Sequence, residues 1–237
     1  MFQQHSGIEH KTITIKDLKS QIIGRGTKLK DGEIPNHGRF WPKKEYIKED
    51  NRFSPPGIEW LYLAIGKEDD IHKCAEVECR TKKGDRFGFC HFQFEPQCDD
   101  CKLVDLTIAD DVSYAEINGW LEEYGQLKIK QGVKLAKVLG YIPQFNINKA
   151  EVEELITQWG VYTHTKLLSE QIFIPLDVTD NKAIAYAPFQ TMAQYYISLG
   201  YSGIVYGSTV CPVGKNIVLF NNQMAHPIGD IEDYEIL

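Results

Sequence analysis

The sequence predicts an α+β fold: a β-sheet core flanked by helices, with a helical insertion. Short apolar runs of strand length recur in both halves of the chain, and a stretch of helical periodicity lies between them. Neither an internal repeat nor a linker rich in Pro, Gly and Ser divides the 237 residues. We therefore expect a single domain over residues 1–237, with a motif-bearing core at about 20–225 and a helical insert at about 111–172.

The first half of the chain predicts mostly strands. Its basic, loop-rich start offers only one short strand or helix, at Lys11–Gly24. The continuous apolar run Trp60–Ile65 predicts a buried strand, and Asp69–Glu76 predicts a short helix with an acidic start. Arg86–Phe94 and Lys102–Thr107 are predicted strands because their aromatic and apolar side chains suit a pleated surface.

The second half predicts helices followed by strands. Asn148–Glu151 resembles a capping box, and apolar residues then recur at helical spacing, at Val152, Leu155, Ile156 and Trp159. A last helix is predicted at about Pro188–Leu199, because Pro favours the first helical turn and Gly200 favours a helix end. Gly203–Tyr206 and Asn216–Phe220 are predicted strands joined by a loop.

The glycine-containing segments and the acidic segment near residue 232 are interpreted as structural and not as functional motifs. Gly24–Gly26 and the loop Gly207–Gly214 lack the spacing of a dinucleotide or phosphate-binding fingerprint, so turns are expected there. The acidic residues Glu232–Glu235 are interpreted as a solvated tail.

Composition excludes several function classes. The formal net charge of -7 argues against a broad grip on nucleic acid or on an anionic membrane, although a basic pocket could still hold a phosphate-bearing small molecule. No apolar run reaches the roughly 18 residues of a membrane span, and no secretory signal is recognised. A soluble protein of the cytoplasm is expected.

Six cysteines are expected to be free thiols in a reducing compartment. Cys98-Asp-Asp-Cys101 has a suggestive spacing, but a zinc site would need two more ligands, with Cys90 and His91 or Cys74 and Cys79 as candidates. We predict no metal site, and the histidines, including His91 and His164, are expected at surfaces or in hydrogen-bonded core positions.

Four blocks in order and spacing resemble the RES (Arg-Glu-Ser) family. They are Arg52–Gly57, Leu61–Ala64, Cys74–Val77, and Gly200–Ser208 with Lys215–Phe220. Each residue alone has an ordinary explanation, but their joint occurrence in family order favours a functional one. The resemblance covers most of the chain and implies an architecture related to ADP-ribosyltransferases.

The resemblance implies cleavage of the nicotinamide–ribose bond of NAD⁺, which is the substrate and not a cofactor. Glu76 would stabilise the developing ribosyl cation, and Arg52 and Arg25 would hold the pyrophosphate. Tyr62 would stack on nicotinamide. Ser208 would position the substrate, because it lacks the neighbours that make a serine nucleophilic.

Some assignments stay open at this stage. Arg39 competes with Arg25 as the first family arginine, and Glu78 competes with Glu76, although Ala75-Glu-Val matches the family at Glu76.

The acceptor of the ribosyl group also stays open, between water (a glycohydrolase) and phosphate (a phosphorylase). A protein ADP-ribosyltransferase is the second hypothesis, and a non-catalytic module stabilised by zinc through Cys98 and Cys101 is the third. The family also implies a toxin whose partner is a cognate antitoxin protein, with no direct contact to nucleic acid and no membrane.

Overall fold

The computed structural model describes residues 11–141, 148–172 and 181–237, and it confirms the predicted α+β class. Its helices and strands, in chain order, are β1 (Thr12–Thr14), α1 (Ile15–Leu18), β2 (Ile22–Lys28), β3 (Leu61–Gly66), α2 (Glu68–Glu78), β4 (Arg86–Phe94), β5 (Lys102–Asp105), α3 (Tyr114–Leu139), α4 (Lys149–Ile172), α5 (Lys182–Ser198), β6 (Gly203–Gly207), β7 (Lys215–Leu219) and β8 (Ala225–Glu235).

The chain contains two compact units. One comprises Thr107–Ser169 and holds α3 and most of α4, while the other comprises Thr12–Leu106 and Glu170–Leu237 and holds the sheet. The division into one domain with a helical insert stays a prediction. None of the helices in the described ranges has both the length and the apolarity that crossing a bilayer requires.

The eight strands form one sheet in the order β1-β5-β6-β7-β3-β2-β4-β8. The β5–β6 pair is parallel and the other neighbours are antiparallel. Helix α2 packs on the sheet through Ile71, Cys74 and Ala75, which form a buried cluster with Phe87 and Phe89 of β4. This packing fixes α2, and therefore the carboxylates that it carries, against the strands.

The predicted turn at Gly24–Gly26 is wrong, because both glycines lie within β2. A Cβ atom on Gly24 would lie 2.2 Å from Cζ of Phe89, and one on Gly26 would lie 2.1 Å from Cζ of Phe87. The two glycines therefore make room for aromatic rings of the neighbouring strand.

The predicted solvated tail is also wrong, because Glu232–Glu235 belongs to β8. β8 is an edge strand, and charged side chains on an edge disfavour pairing with another chain. Arg86 of β4 binds Asp233 of β8, with 2.8 Å between Nε and Oδ1. The acidic composition of the segment is therefore compatible with a strand.

Helix α5 begins six residues before the predicted start at Pro188, with Asn181 as its N-cap (Oδ1 accepts from the Ala183 amide at 3.1 Å). Pro188 lies inside the helix, and the predicted end before Gly200 is confirmed. The predicted cap of α4 is also confirmed, since Asn148 Oδ1 accepts from the Ala150 amide at 3.1 Å.

Candidate functional site

A gap in the sheet forms the larger of two neighbouring cavities. β2 pairs with β3 only from Ile22 to Gly24, while its pairing with β4 continues to Lys28. The second half of β2 therefore has no partner on the β3 side. Arg25 and the following residues of β2 line a cavity of about 860 Å³ there, together with Trp60 and Tyr62. Small-molecule and cofactor sites have volumes of about 300–1,000 Å³.

The lining of this larger cavity is predominantly cationic. Its charged residues are Arg25, Lys30, Arg39, Lys43 and Lys48 against Glu33 and Glu49. Such a concave surface attracts anions, because the charges of one sign act together on the enclosed volume. The net negative charge of the whole chain does not prevent this, since it is the local distribution that faces the ligand.

Arg25, which lines this cavity, has a donor nitrogen that is not used by the described residues. Its Nη1 atom is buried and has no hydrogen-bond partner among the described residues. Burial lowers the pKa of its guanidinium from the ordinary value. Arg39, by contrast, is committed, because its Nε donates to Glu33 Oε1 at 2.9 Å and its Nη2 donates to the Lys28 carbonyl at 3.0 Å. Of the two candidate arginines, Arg25 is therefore the one with a buried nitrogen left unpaired by the described residues.

A smaller cavity of about 260 Å³ adjoins the larger one, since Tyr62, Glu49 and Asn51 line both. Arg52 and Glu78 line the smaller cavity. The larger cavity is thus predominantly cationic, whereas the smaller one has a balanced lining of Glu49, Asp50 and Glu78 with Arg52, Arg80 and Lys182.

Glu78 is held by two side chains, one that directly follows β6 and one from β7. Its Oε1 accepts from Ser208 Oγ at 2.8 Å and from Asn216 Nδ2 at 2.6 Å. Ser208 Oγ also accepts from the backbone amides of Val210 at 3.3 Å and Cys211 at 3.0 Å. Because these amides occupy the acceptor positions of the hydroxyl, its proton is directed at Glu78.

The amide of Asn216 is oriented in turn by Cys74. The Cys74 thiol donates to Asn216 Oδ1 at 3.5 Å, which leaves the amide nitrogen facing Glu78. Burial, and secondarily the charge of Glu78, raises the pKa of Cys74 to about 12, so this thiol remains protonated.

Glu76 lies apart from this arrangement. Its Oε1 accepts from the Tyr234 hydroxyl of β8 at 2.7 Å, and it does not line either cavity. Residues two apart on a helix point in nearly opposite directions. The structure therefore brings Ser208 together with Glu78 and not with Glu76.

The sequence did contain a signal for Glu78. Ile71, Cys74 and Ala75 are buried on one face of α2, and Glu78 follows them at spacings of seven, four and three. The predicted helix, Asp69–Glu76, stopped two residues too early. The actual helix ends at Glu78, followed by Arg80 in the left-handed conformation with φ of 51°.

Arg52 and Tyr62 both line the smaller cavity. Arg52 Nη2 donates to Thr209 Oγ1 at 3.3 Å, and its guanidinium lies 5.6 Å from the centroid of the Tyr186 ring. The Tyr62 hydroxyl lies 2.9 Å from Ser54 Oγ, and burial raises the pKa of Tyr62 above its ordinary value. Tyr62 is thus a neutral, oriented ring between the two cavities.

The cysteines of the chain are free thiols. Burial, and secondarily the neighbouring Cys101, raises the pKa of the Cys98 thiol. Among the described residues, the cluster of side chains with metal-binding geometry contains neither of these cysteines.

The chain was compared with curated proteins and with solved structures. No curated protein matches the chain significantly. A chain of the M. tuberculosis MbcT–MbcA toxin–antitoxin complex is similar in structure, with a TM-score of 0.44 and 9% sequence identity, and the alignment covers 90% of this chain and 84% of that one.

A family model of the RES domain matches residues 149–236. This range contains Ser208 and Asn216, whereas Arg25, Arg52, Tyr62 and both glutamates precede it. Over residues 149–236 the resemblance indicated by the sequence motifs is therefore confirmed. The match contains the block Gly200–Ser208 with Lys215–Phe220, and the three earlier blocks lie outside it.

Proposed function

We propose that this protein degrades NAD⁺ by cleaving the bond between nicotinamide and ribose. The observation that supports this most directly is the position of Glu78. Its carboxylate is held by Ser208 and Asn216 in a small cavity that adjoins a cationic one. The negatively charged middle of a dinucleotide suits the cationic lining of the larger cavity, and its positively charged end would lie beside Glu78 in the smaller one.

The pyrophosphate would bind in the larger cavity. Arg25 supplies a buried guanidinium nitrogen with no partner among the described residues, and a phosphate oxygen would satisfy it. The nicotinamide riboside end would then extend past Tyr62 into the smaller cavity, where Arg52 and Glu78 lie.

Glu78 would act on the charge that develops as the bond breaks. The bond from the ribose C1′ to the pyridinium nitrogen cleaves with both electrons going to nitrogen, so nicotinamide leaves neutral and needs no proton. Positive charge then grows on the ribose, and an ionised carboxylate fixed beside it stabilises that charge. Water forms the new bond to C1′ and releases one proton to the solvent, or a phosphate oxygen forms that bond instead, and this completes the reaction. Ser208 and Asn216 keep the carboxylate in position without contacting the reacting atoms themselves.

The family resemblance also supports a biological role. We propose that the protein is the toxin of a toxin–antitoxin pair that acts in the cytoplasm, with a cognate antitoxin protein as its partner. Co-expression with the product of an adjacent gene would test this, because rescue of growth requires a neutralising partner.

The test compares two glutamates on one helix. Purified protein is incubated with NAD⁺, and nicotinamide release is followed by chromatography for the wild type, Glu78→Gln and Glu76→Gln. We expect Glu78→Gln to lose at least about 100-fold in rate, the size seen for loss of one preorganised electrostatic group. Glu76→Gln should retain activity within about twofold, since its carboxylate lies against Tyr234.

Each other outcome has a definite meaning. The reverse pattern would assign the carboxylate to Glu76, and no release by a folded wild type would refute the proposed reaction. Assays with and without inorganic phosphate identify the acceptor, and transfer of labelled ADP-ribose to added protein would indicate an ADP-ribosyltransferase instead.

A further inference from the structure

Four side chains with metal-binding groups converge at the other end of α2, away from the NAD⁺ site. They are Glu68 and His72 of α2, His91 of β4 and Glu232 of β8, and one ligand atom from each lies within 4.8 Å of all the others. Helix α2 and strands β4 and β8 of the sheet-containing unit thus each contribute potential metal ligands to the same cluster.

The contacts within this cluster are short. Glu68 Oε1 lies 3.1 Å from His72 Nε2 and 2.7 Å from His91 Nε2. Glu232 Oε1 lies 3.5 Å from His72 Nε2 and 3.8 Å from His91 Nδ1. Four ligands arranged tetrahedrally around zinc are separated by about 3.3 Å, given metal–ligand bonds of about 2.0–2.1 Å. The distances from His72 Nε2 to the two carboxylates are close to this value, and His91 would bind the ion through one of its two ring nitrogens.

The surrounding structure restricts the two imidazoles. The ring of Phe89 is buried beneath them, with its centroid 3.8 Å from that of His72 and 5.2 Å from that of His91. Phe89 also lies opposite Glu232 in the β4–β8 ladder, where the register shifts between Phe89 and His91. Such an irregularity redirects side chains, and here it accompanies the approach of Glu232 to the histidines.

We propose that Glu68, His72, His91 and Glu232 bind one divalent transition-metal ion of the zinc class. Imidazole nitrogens and carboxylate oxygens suit such an ion, and the two carboxylates balance its double positive charge. The ion would connect the first turns of α2 to β4 and to the edge strand β8. Its role would be structural, since Glu78 lies at the opposite end of the same helix.

The experiment uses the full chain after treatment with a chelator. Zn²⁺ is titrated by calorimetry, with one equivalent bound as the expected result, and Co²⁺ is followed by visible absorption. A nitrogen- and oxygen-ligated site gives tetrahedral cobalt bands without the ultraviolet charge-transfer band of thiolate ligation. At 100 times its dissociation constant, Zn²⁺ should raise the Tm by about 5–10 °C.

Variants of the cluster and a control variant outside it test whether these four residues bind the ion. His72→Ala/His91→Ala should abolish binding, whereas His226→Ala should not change it, because His226 lies outside the cluster and pairs with Glu95 at 2.6 Å. If the double histidine variant does not fold, Glu68→Gln/Glu232→Gln keeps the side-chain shapes and should weaken binding at least 100-fold.

The cysteine pair provides the competing explanation. Cys98→Ser/Cys101→Ser should bind Zn²⁺ like the wild type. Binding that is lost in this variant but kept in the histidine variant, or no binding by the wild type, would overturn the proposal and leave ordinary histidine–glutamate ion pairs. Because these measurements contain no NAD⁺, their result is independent of the proposed enzymatic activity.

Discussion

Replacement of Ser208 by Ala removes one hydroxyl that makes three hydrogen bonds in a buried position. The hydroxyl donates to Glu78 and accepts from the amides of Val210 and Cys211. Loss of a hydrogen bond to a charged group costs about 1.5–3 kcal/mol, and a buried amide left without an acceptor costs about 1–3 kcal/mol. Ser208 is only 3% exposed, so water replaces these contacts poorly.

We therefore expect Ser208→Ala to lower the free energy of unfolding by about 3 kcal/mol, and the Tm by about 6–12 °C. Activity should fall by about tenfold, which is about 1.4 kcal/mol, because Asn216 still holds Glu78. The assays are chemical denaturation and nicotinamide release from NAD⁺.

Ser198→Ala is the matched control. Its exposed hydroxyl donates to the Tyr195 carbonyl at 2.7 Å, and we expect a change below about 0.5 kcal/mol. If Ser208→Ala unfolds like this control and releases nicotinamide at the wild-type rate, then Ser208 does not hold the catalytic carboxylate and the reasoning fails.

Three further predictions test other parts of the structure. Gly24→Ala should destabilise the fold by about 1–3 kcal/mol in thermal unfolding, because the new Cβ would lie 2.2 Å from Phe89 Cζ, whereas Gly119→Ala in α3 meets no atom within 4 Å and should be neutral or stabilising. Arg25→Gln should raise the KM for NAD⁺ at least about tenfold with Arg25→Lys intermediate, and an unchanged KM for both would remove Arg25 from the site. Cys74 should resist alkylation at pH 8 in the folded protein, since a pKa of about 12 leaves about one thiol in 10,000 ionised, and rapid labelling seen by mass spectrometry would contradict its placement.

The strands were predictable where side-chain pattern alone decides them. Leu61–Gly66 and Arg86–Phe94 form strands as expected, because long apolar or aromatic-rich runs have few alternatives in a folded chain. β2 and β8 were missed for a physical reason. β2 contains glycines, which usually indicate turns but here make room for the aromatic rings of β4. β8 carries several charged residues, which usually indicate a solvated segment but are tolerated in a strand at the edge of a sheet.

The sequence by itself determined the α+β class, most of the strands, the family resemblance and the residue types of the site. Only the tertiary structure decided which glutamate meets Ser208, which arginine keeps an unused donor, and where the sheet opens into a cavity. Glu76 and Glu78 are equivalent in composition, but helix geometry directs one to Tyr234 and the other to Ser208. Contacts between residues more than a hundred positions apart depend on how strands and helices pack, and local sequence patterns do not record that packing.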